Sequence, residues 1–513
     1  MSPAKQFQHM ENRIGDLEKE NKRLQETIQF LTQKLYGRST EKTSTLPIGI
    51  EQLLLFDETE TEATPSAPEP DLKEVSSYQR KKNKGGREEL LKDIPHHKFL
   101  CTLDAQDRCC EACATELVVV GEEFVRTEIE FIPATVRAID VYRETFECRT
   151  CRKQGRPYME KAPTPDPVIQ HSMASPSSVA WVMHQKFVNA LPLYRQEKEW
   201  QTLGVTLSRA TMANWMMVAS RDWLMPLVKH IHQRLLQEKH VHADETVVQV
   251  MNETGRKNTT DSYMWVYSSG QHSKYPVRIF EYQPGRSGKY PQAFLKGFKG
   301  YLHSDAYSGY TKIKDITRCL CWAHLRRKFV DALPKDTKHP ETTLPSEGIA
   351  YCNKLFEIEK SLETLSSEER YRNRLEREKP VLDAFWAWVE SASGKILPKS
   401  KLGEALKYAR NHKREFMNYL LDGNCSISNN LAENSIRPFT IGRKIWLFSG
   451  SPKGATASAA IYSMVETAKA NGLNPYKYLV YLFKQLPAVA FHQHPEWLDD
   501  YLPWSPEIQE RCK

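Results

Sequence analysis

Apolar residues near the start of the chain recur in a strict three-four alternation. Ile14, Asn21, Ile28 and Leu35 fall on one heptad position, and Met10, Leu17, Leu24 and Leu31 fall on the other. Ile at the first position with Leu at the second favours two parallel strands, and a single Asn at the first sets the register. The pattern predicts a coiled-coil dimerisation helix over 8–37, with an amphipathic helix packed on its own chain as the alternative. The periodicity then lapses. Residues 51–77 carry eight acids against one Lys, with Pro65, Pro68 and Pro70 among them, and cannot bury enough apolar surface to order themselves. Residues 38–90 therefore read as a linker, acidic first and basic afterwards. Arg80, Lys81, Lys82, Lys84 and Arg87 form the basic end, suited to tracking phosphates or to a solvated linker.

Short apolar patches return at Phe124-Val125, Ile129, Phe131, Val136, Ile139 and Val141, and they read as strands. They lie between two Cys-x-x-Cys knuckles, Cys110 with Cys113 and Cys148 with Cys151. Four thiolates suit a closed tetrahedral Zn²⁺ site, so 91–165 is expected to be a small zinc module that needs its metal to fold. Cys109 beside Cys110 leaves the identity of the first ligand open. From 170 to 235 the pattern turns helical. Leu193–Trp200, a turn at Gly204, and a second helix opened by Ser208 fit a helix-turn-helix, with Arg209 in its first turn as a candidate DNA contact. A plain structural hairpin fits the same pattern.

Short segments rich in β-branched and apolar residues follow and read as strands: Val241–Val250, Met264–Tyr267, Val277–Tyr282, Gly300–Asp305 and Thr317–Trp322, with helices across Tyr290–Phe298 and His324–Leu333. Three strands, a helix, a strand, a helix and a strand predict a mixed sheet of the ribonuclease-H type over 236–334. In that sheet the first and fourth strands are neighbours, so Asp244 and Asp305 converge. An Asp within a strand of Val and Ala is costly to bury unless it is paired or bound to a metal. Glu245 is the rival to Asp244, but the next residue of a strand points to the other face. Charged helices at Ser346–Leu365, Glu368–Arg377, Val381–Ser391 and Leu402–Asn411 read as a helical insertion over 335–427. The core resumes over 428–470, where a helix capped by Ser428 or Asn429 makes a turn and a half before Pro438. Asn430, Glu433 and Arg437 share one of its faces. A C-terminal helical segment, 471–513, completes a multidomain α/β chain.

Composition narrows this picture without changing it. The 513 residues hold 72 Lys and Arg against 64 Asp and Glu, a net charge of +8 that is compatible with nucleic acid and does not require it. The eleven cysteines, without an apolar signal segment or a membrane-length apolar run, predict a cytoplasmic protein that uses thiols for metal rather than for disulfides.

These residues resemble the transposases of the insertion-sequence-66 group, within the Asp-Asp-Glu superfamily. The likeness rests on His-Ala-Asp-Glu-Thr at 242–246, His-Ser-Asp-Ala-Tyr at 303–307, Cys-Trp-Ala-His-Leu-Arg-Arg-Lys-Phe at 321–329 and the run from Asn429 to Ser451. The zipper, zinc module, helix-turn-helix and C-terminal segment also occur in the family's order, so the resemblance covers nearly the whole chain. It implies that Asp244, Asp305 and Glu433 hold two Mg²⁺ (or Mn²⁺) ions about 4 Å apart. It also implies 3′-end cleavage of the element, strand transfer into target DNA, and small accessory proteins. Arg437, Arg443 and Lys444 join Arg209 and the basic linker as expected DNA contacts. Cys321 and His324 are expected to pack beneath the site. A ribonuclease-H-like nuclease without strand transfer, and a non-catalytic zinc-finger DNA-binding protein, are the alternatives.

Overall fold

The computed structural model describes residues 135–156, 159–334 and 343–513, with the isolated positions 98, 100, 119 and 124. The coiled coil over 8–37, the linker with its basic end, and Cys109, Cys110 and Cys113 lie outside the described residues. Cys148 and Cys151 lie inside them. Strand β1 (Thr145–Glu147) pairs antiparallel with β2 (Met159–Lys161), and the short helix α1 (Arg149–Lys153) between them starts at Cys148. The Cys148 thiol is held below its ordinary value by the Cys151 backbone and by the Cys151 thiol, whose own value rises in return. The second knuckle is thus a compact turn with both sulfurs on one side.

Helix α2 (Pro176–Phe187) starts where Ser175 and Ser178 cap each other, with Pro176 at the first helical position. Helices α3 (Leu193–Thr202) and α4 (Arg209–Ala219) follow, joined through Gly204 at φ +88. The Thr211 N–H donates to Ser208 Oγ at 3.1 Å, which fixes the start of α4. Two helices joined by a glycine turn are therefore present, and a π turn at Ser220–Leu224 leads on to α5 (Met225–Leu235).

The central sheet is built from β3 (His240–Val250), β4 (Asp261–Ser269), β5 (Arg278–Gln283), β6 (Tyr301–Ser304) and β7 (Thr317–Leu320), in the order β5-β4-β3-β6-β7. The first three pair antiparallel, while β6 and β7 run parallel to β3. Helix α6 (Lys289–Phe294) lies between β5 and β6, and α7 (Trp322–Asp331) leaves β7 directly. Tyr267 stacks on Phe294 at 3.7 Å between ring centres and closes one face of the sheet.

The insertion comprises α8 (Leu344–Leu362), α9 (Ser367–Asn373), α10 (Lys379–Ser393), α11 (Lys401–Asn411) and α12 (Lys413–Met417) around their own core of Trp322, Phe385, Trp386 and Phe416. The expected single helix over Glu368–Arg377 is instead α9 followed by a π turn at Arg374–Glu378, which turns both of those residues inward. Buried Arg374 holds Glu359 through two bonds of 2.6 and 2.9 Å, and donates to the carbonyls of Tyr419, Asp422 and Cys425. This clamp fixes the loop that returns the chain to the sheet.

That loop enters α13 (Asn430–Trp446), which packs on β3 and β4. The local pattern predicts that this helix stops before Pro438, yet it continues for two further turns. Pro in a helix interior costs about 3 kcal/mol. Burial of Ala432, Ile436, Phe439 and Gly442 along one face outweighs that cost. Strand β8 (Phe448–Ser449) then pairs with the far end of β3. Helix α14 (Pro452–Ala470) runs beside β5, where Ser463 and Thr467 accept the Phe280 and Arg278 N–H groups at 2.8 and 3.0 Å. The edge strand is covered rather than left open. Helices α15 (Pro475–Gln485) and α16 (Pro506–Arg511) complete the chain. Among the described residues no helix is long and apolar enough to cross a membrane.

Candidate functional site

The strand register builds the site in rows. His240 pairs with Tyr301 and Tyr301 with Thr317; His242 pairs with His303 and His303 with Cys319. Two residues further along come Asp244, inside β3, and Asp305 and Cys321, each one residue past the end of its strand. Parallel neighbours in register present these side chains to the same face.

Helix α13 supplies the third acid to that face. Its position is set by Asn429, which is 1% exposed. The Asn429 amide donates to the Ala243 carbonyl at 2.9 Å, and its oxygen lies 3.1 Å from His242 Nδ1. Its backbone N–H points at Cys321 Sγ at 3.1 Å. Asn429 is thus the residue just before the helix, but its side chain ties α13 to β3 instead of capping the helix. Ser268 Oγ donates to Ser435 Oγ at 3.2 Å, a second tie one strand away. With these in place, Glu433 Oε1 stands 3.6 Å from His324 Nδ1 and 4.0 Å from Cys321 Sγ.

Electrostatics at the site are set by crowding of like charges. Burial pushes Asp244 up to about 8, and the neighbouring carboxylates of Glu245, Glu433 and Asp305 push it the same way. The Glu245 N–H, donating to Asp244 Oδ1 at 2.9 Å, opposes the shift. Asp305 accepts the Tyr307 N–H at 2.9 Å, and its side chain and that of Glu433 are 28% and 29% exposed. Glu245 is occupied elsewhere: Arg286 donates to it at 2.7 Å and the Tyr310 hydroxyl at 2.7 Å. Arg286 also lies 3.8 Å from Asp305 Oδ2, so it bridges the two acids. Burial pushes the Cys321 thiol up to about 11, which keeps it protonated beside Glu433.

The remaining expected contacts divide. Asn430 and Arg437 are exposed on α13, as are Lys444 and, on α4, Arg209. Arg443 is tied to β3 instead, donating to Thr246 Oγ1 at 3.0 Å and to the Val247 carbonyl. Sequence reasoning missed Arg286 and the tethering role of Asn429. The Pro-Gly-Arg-Ser-Gly loop at 284–288 and the doubled Asn at 429–430 were the only traces they left.

Residues 463–504 match the model described as IS66 C-terminal element, 107–152 that of the zinc-finger binding domain of transposase IS66, and 23–98 that of Transposase C of IS166 homeodomain. These place the chain among DNA-binding proteins of transposition. Residues 171–457, more than half of the chain, match the model described as Transposase IS66 family. The chain belongs to the IS66 family of transposases. It is 28% identical over 499 residues to "Uncharacterized protein y4hP" of Sinorhizobium fredii (strain NBRC 101917 / NGR234), covering 93% of this chain and 87% of that protein. A second protein of the same strain, "Uncharacterized protein y4jD", is 26% identical over 495 residues, 94% of each chain.

Proposed function

We propose that this transposase binds the ends of a bacterial insertion sequence and catalyses divalent-cation-dependent 3′-end cleavage, then strand transfer into target DNA. Asp244, Asp305 and Glu433 are its catalytic acids in this reading. The observation that carries it is the parallel pairing of His242 with His303, two residues before Asp244 and Asp305, together with the α13 tether that brings Glu433 near enough to raise Asp244. Three antiparallel strands followed by two parallel ones, in the order β5-β4-β3-β6-β7, support a ribonuclease-H-like core.

The donor set fits Mg²⁺ or Mn²⁺, because three carboxylates are hard oxygen ligands. Asp244, held back from ionising by burial and by like charges, is the group a cation relieves most. When bound, a pair of such ions activates the attacking oxygen and stabilises the leaving one. Asp244, Asp305 and Glu433 would hold the ions through their carboxylate oxygens, since Asp305 and Glu433 both act on Asp244 across the same face. Arg286 holds Glu245 away from the ligand face and steadies Asp305. Arg437, Asn430, Lys444 and Arg209 are exposed for contact with the DNA backbone, while Arg443 holds α13 in place. Cys110, Cys113, Cys148 and Cys151 hold one structural Zn²⁺, residues 8–37 pair two copies, and the protein works in the cytoplasm with accessory proteins of the same element as partners.

The test is incubation of the purified protein with DNA carrying the element's terminal repeats, target plasmid and Mg²⁺. Joined products support the reading. Products that are cut but never joined leave the nuclease alternative standing.

A further inference from the structure

The acids account for hard-oxygen chemistry, but one nitrogen at the site has no assignment. His324 lies in the first turn of α7, three residues after Cys321 begins that helix, so both side chains face Glu433. Its Nδ1 is buried and has no hydrogen-bond partner. Buried imidazole nitrogens are almost always satisfied, so an orphan calls for a missing partner. At 3.6 Å from Glu433 Oε1 it is beyond hydrogen-bond range. Two donors that each stand about 2.1 Å from one ion lie roughly 3–4 Å apart, which is the spacing seen here. His324, Cys321 and Glu433 each offer a ligand atom, and these atoms lie within 4.8 Å of one another.

We propose that His324 is a further metal ligand, giving Nδ1 to the cation that Glu433 holds, and that it biases this half of the site towards Mn²⁺ over Mg²⁺. The proposal rests on the carboxylate reading above and deepens it. Mg²⁺ favours oxygen and gives up water reluctantly, whereas first-row transition ions accept imidazole readily. Cys321 is a support here: its sulfur takes the Asn429 N–H at 3.1 Å and lies 4.0 Å from Glu433 Oε1. The site therefore has one all-oxygen end, at Asp244 and Asp305, and one mixed nitrogen and oxygen end.

The test uses the full-length, zinc-loaded protein. Mn²⁺ binding is followed by electron paramagnetic resonance in wild type, His324→Gln, His324→Ala and Asp244→Asn, with Mg²⁺ as competitor and circular dichroism as the check on folding. The His324 variants are expected to lose at least about tenfold in affinity for the weaker-held Mn²⁺, the scale seen when even a supporting residue of a metal site is removed. Less Mg²⁺ should then displace the Mn²⁺ that remains, and the Mn²⁺-to-Mg²⁺ ratio of end-cleavage rates should fall with it. Unchanged Mn²⁺ affinity and unchanged Mg²⁺ competition in both folded His324 variants overturns the proposal. Unchanged Mn²⁺ binding in Asp244→Asn overturns the carboxylate reading instead, so the two failures are distinguishable.

Discussion

Replacing Asp244 by Asn is expected to stabilise the metal-free protein while abolishing its chemistry. Burial and the surrounding carboxylates push Asp244 up to about 8, against an ordinary value of 3.8. Between those values the folded chain holds one more proton than the unfolded chain. The stability linked to this group is therefore complete below about pH 4 and is lost as pH rises through about 8. Each pH unit is worth about 1.4 kcal/mol, so near pH 7 the acid lowers core stability by about 4 kcal/mol. Asn has nearly the same shape, has no charge to bury, and keeps an oxygen to accept the Glu245 N–H. Urea unfolding in Mg²⁺-free buffer, followed by fluorescence of buried Trp265 and Trp322, measures the difference. The variant is expected to gain about 1.5 kcal/mol at pH 5 and about 5 kcal/mol at pH 8. Added Mg²⁺ should then stabilise the wild type alone and narrow the gap. A variant less stable than wild type at both pH values, or an advantage that does not grow with pH, refutes the reasoning.

Three further outcomes follow from the same geometry. Mg²⁺ must displace the Asp244 proton, so its apparent affinity should rise by up to about tenfold per pH unit between pH 6 and 8 and level off above; calorimetry in buffers of different ionisation enthalpy reads the released proton. Asn429→Ala removes bonds to Ala243 and His242 and should cost about 2–3 kcal/mol, measured as a lower denaturation midpoint, with cleavage falling more than DNA binding. Cys151→Ser should lower bound zinc by about one ion per chain in elemental analysis, and a variant that keeps its full zinc content contradicts the four-thiolate assignment.

The strands that carry Asp244 and Asp305 were legible because an acid inside a run of Val and Ala breaks the local pattern. Their ends fell within a few residues of those expected from their β-branched and apolar content. Asn430, Glu433 and Arg437 were legible as one face of a helix, but the length of that helix was not. It passes Pro438 because Phe439 packs on Tyr462 of another helix, with ring centres 5.5 Å apart, and local propensity carries no trace of that contact. Gly442 shows the same dependence, since a Cβ there would fall 2.6 Å from the Tyr462 hydroxyl of that helix. Arg286 and Asn429 were hidden for a related reason. Their partners Glu245 and His242 lie 41 and 187 positions away, and only the folded sheet brings them together. The π turn at Arg374 was equally hidden, because it exists to bury an ion pair with Glu359 on another helix.

The central claim is that three acids, drawn from two strands and a helix, form one metal-dependent centre. Single-turnover strand transfer with pre-cleaved element ends and Mg²⁺ tests it most directly, using wild type, Asp305→Asn and Glu433→Gln at matched DNA occupancy. Wild type should join ends to target, and each variant should bind the ends normally while losing roughly a thousandfold or more in rate, about 4 kcal/mol of barrier. Either variant joining ends at the wild-type rate contradicts the account.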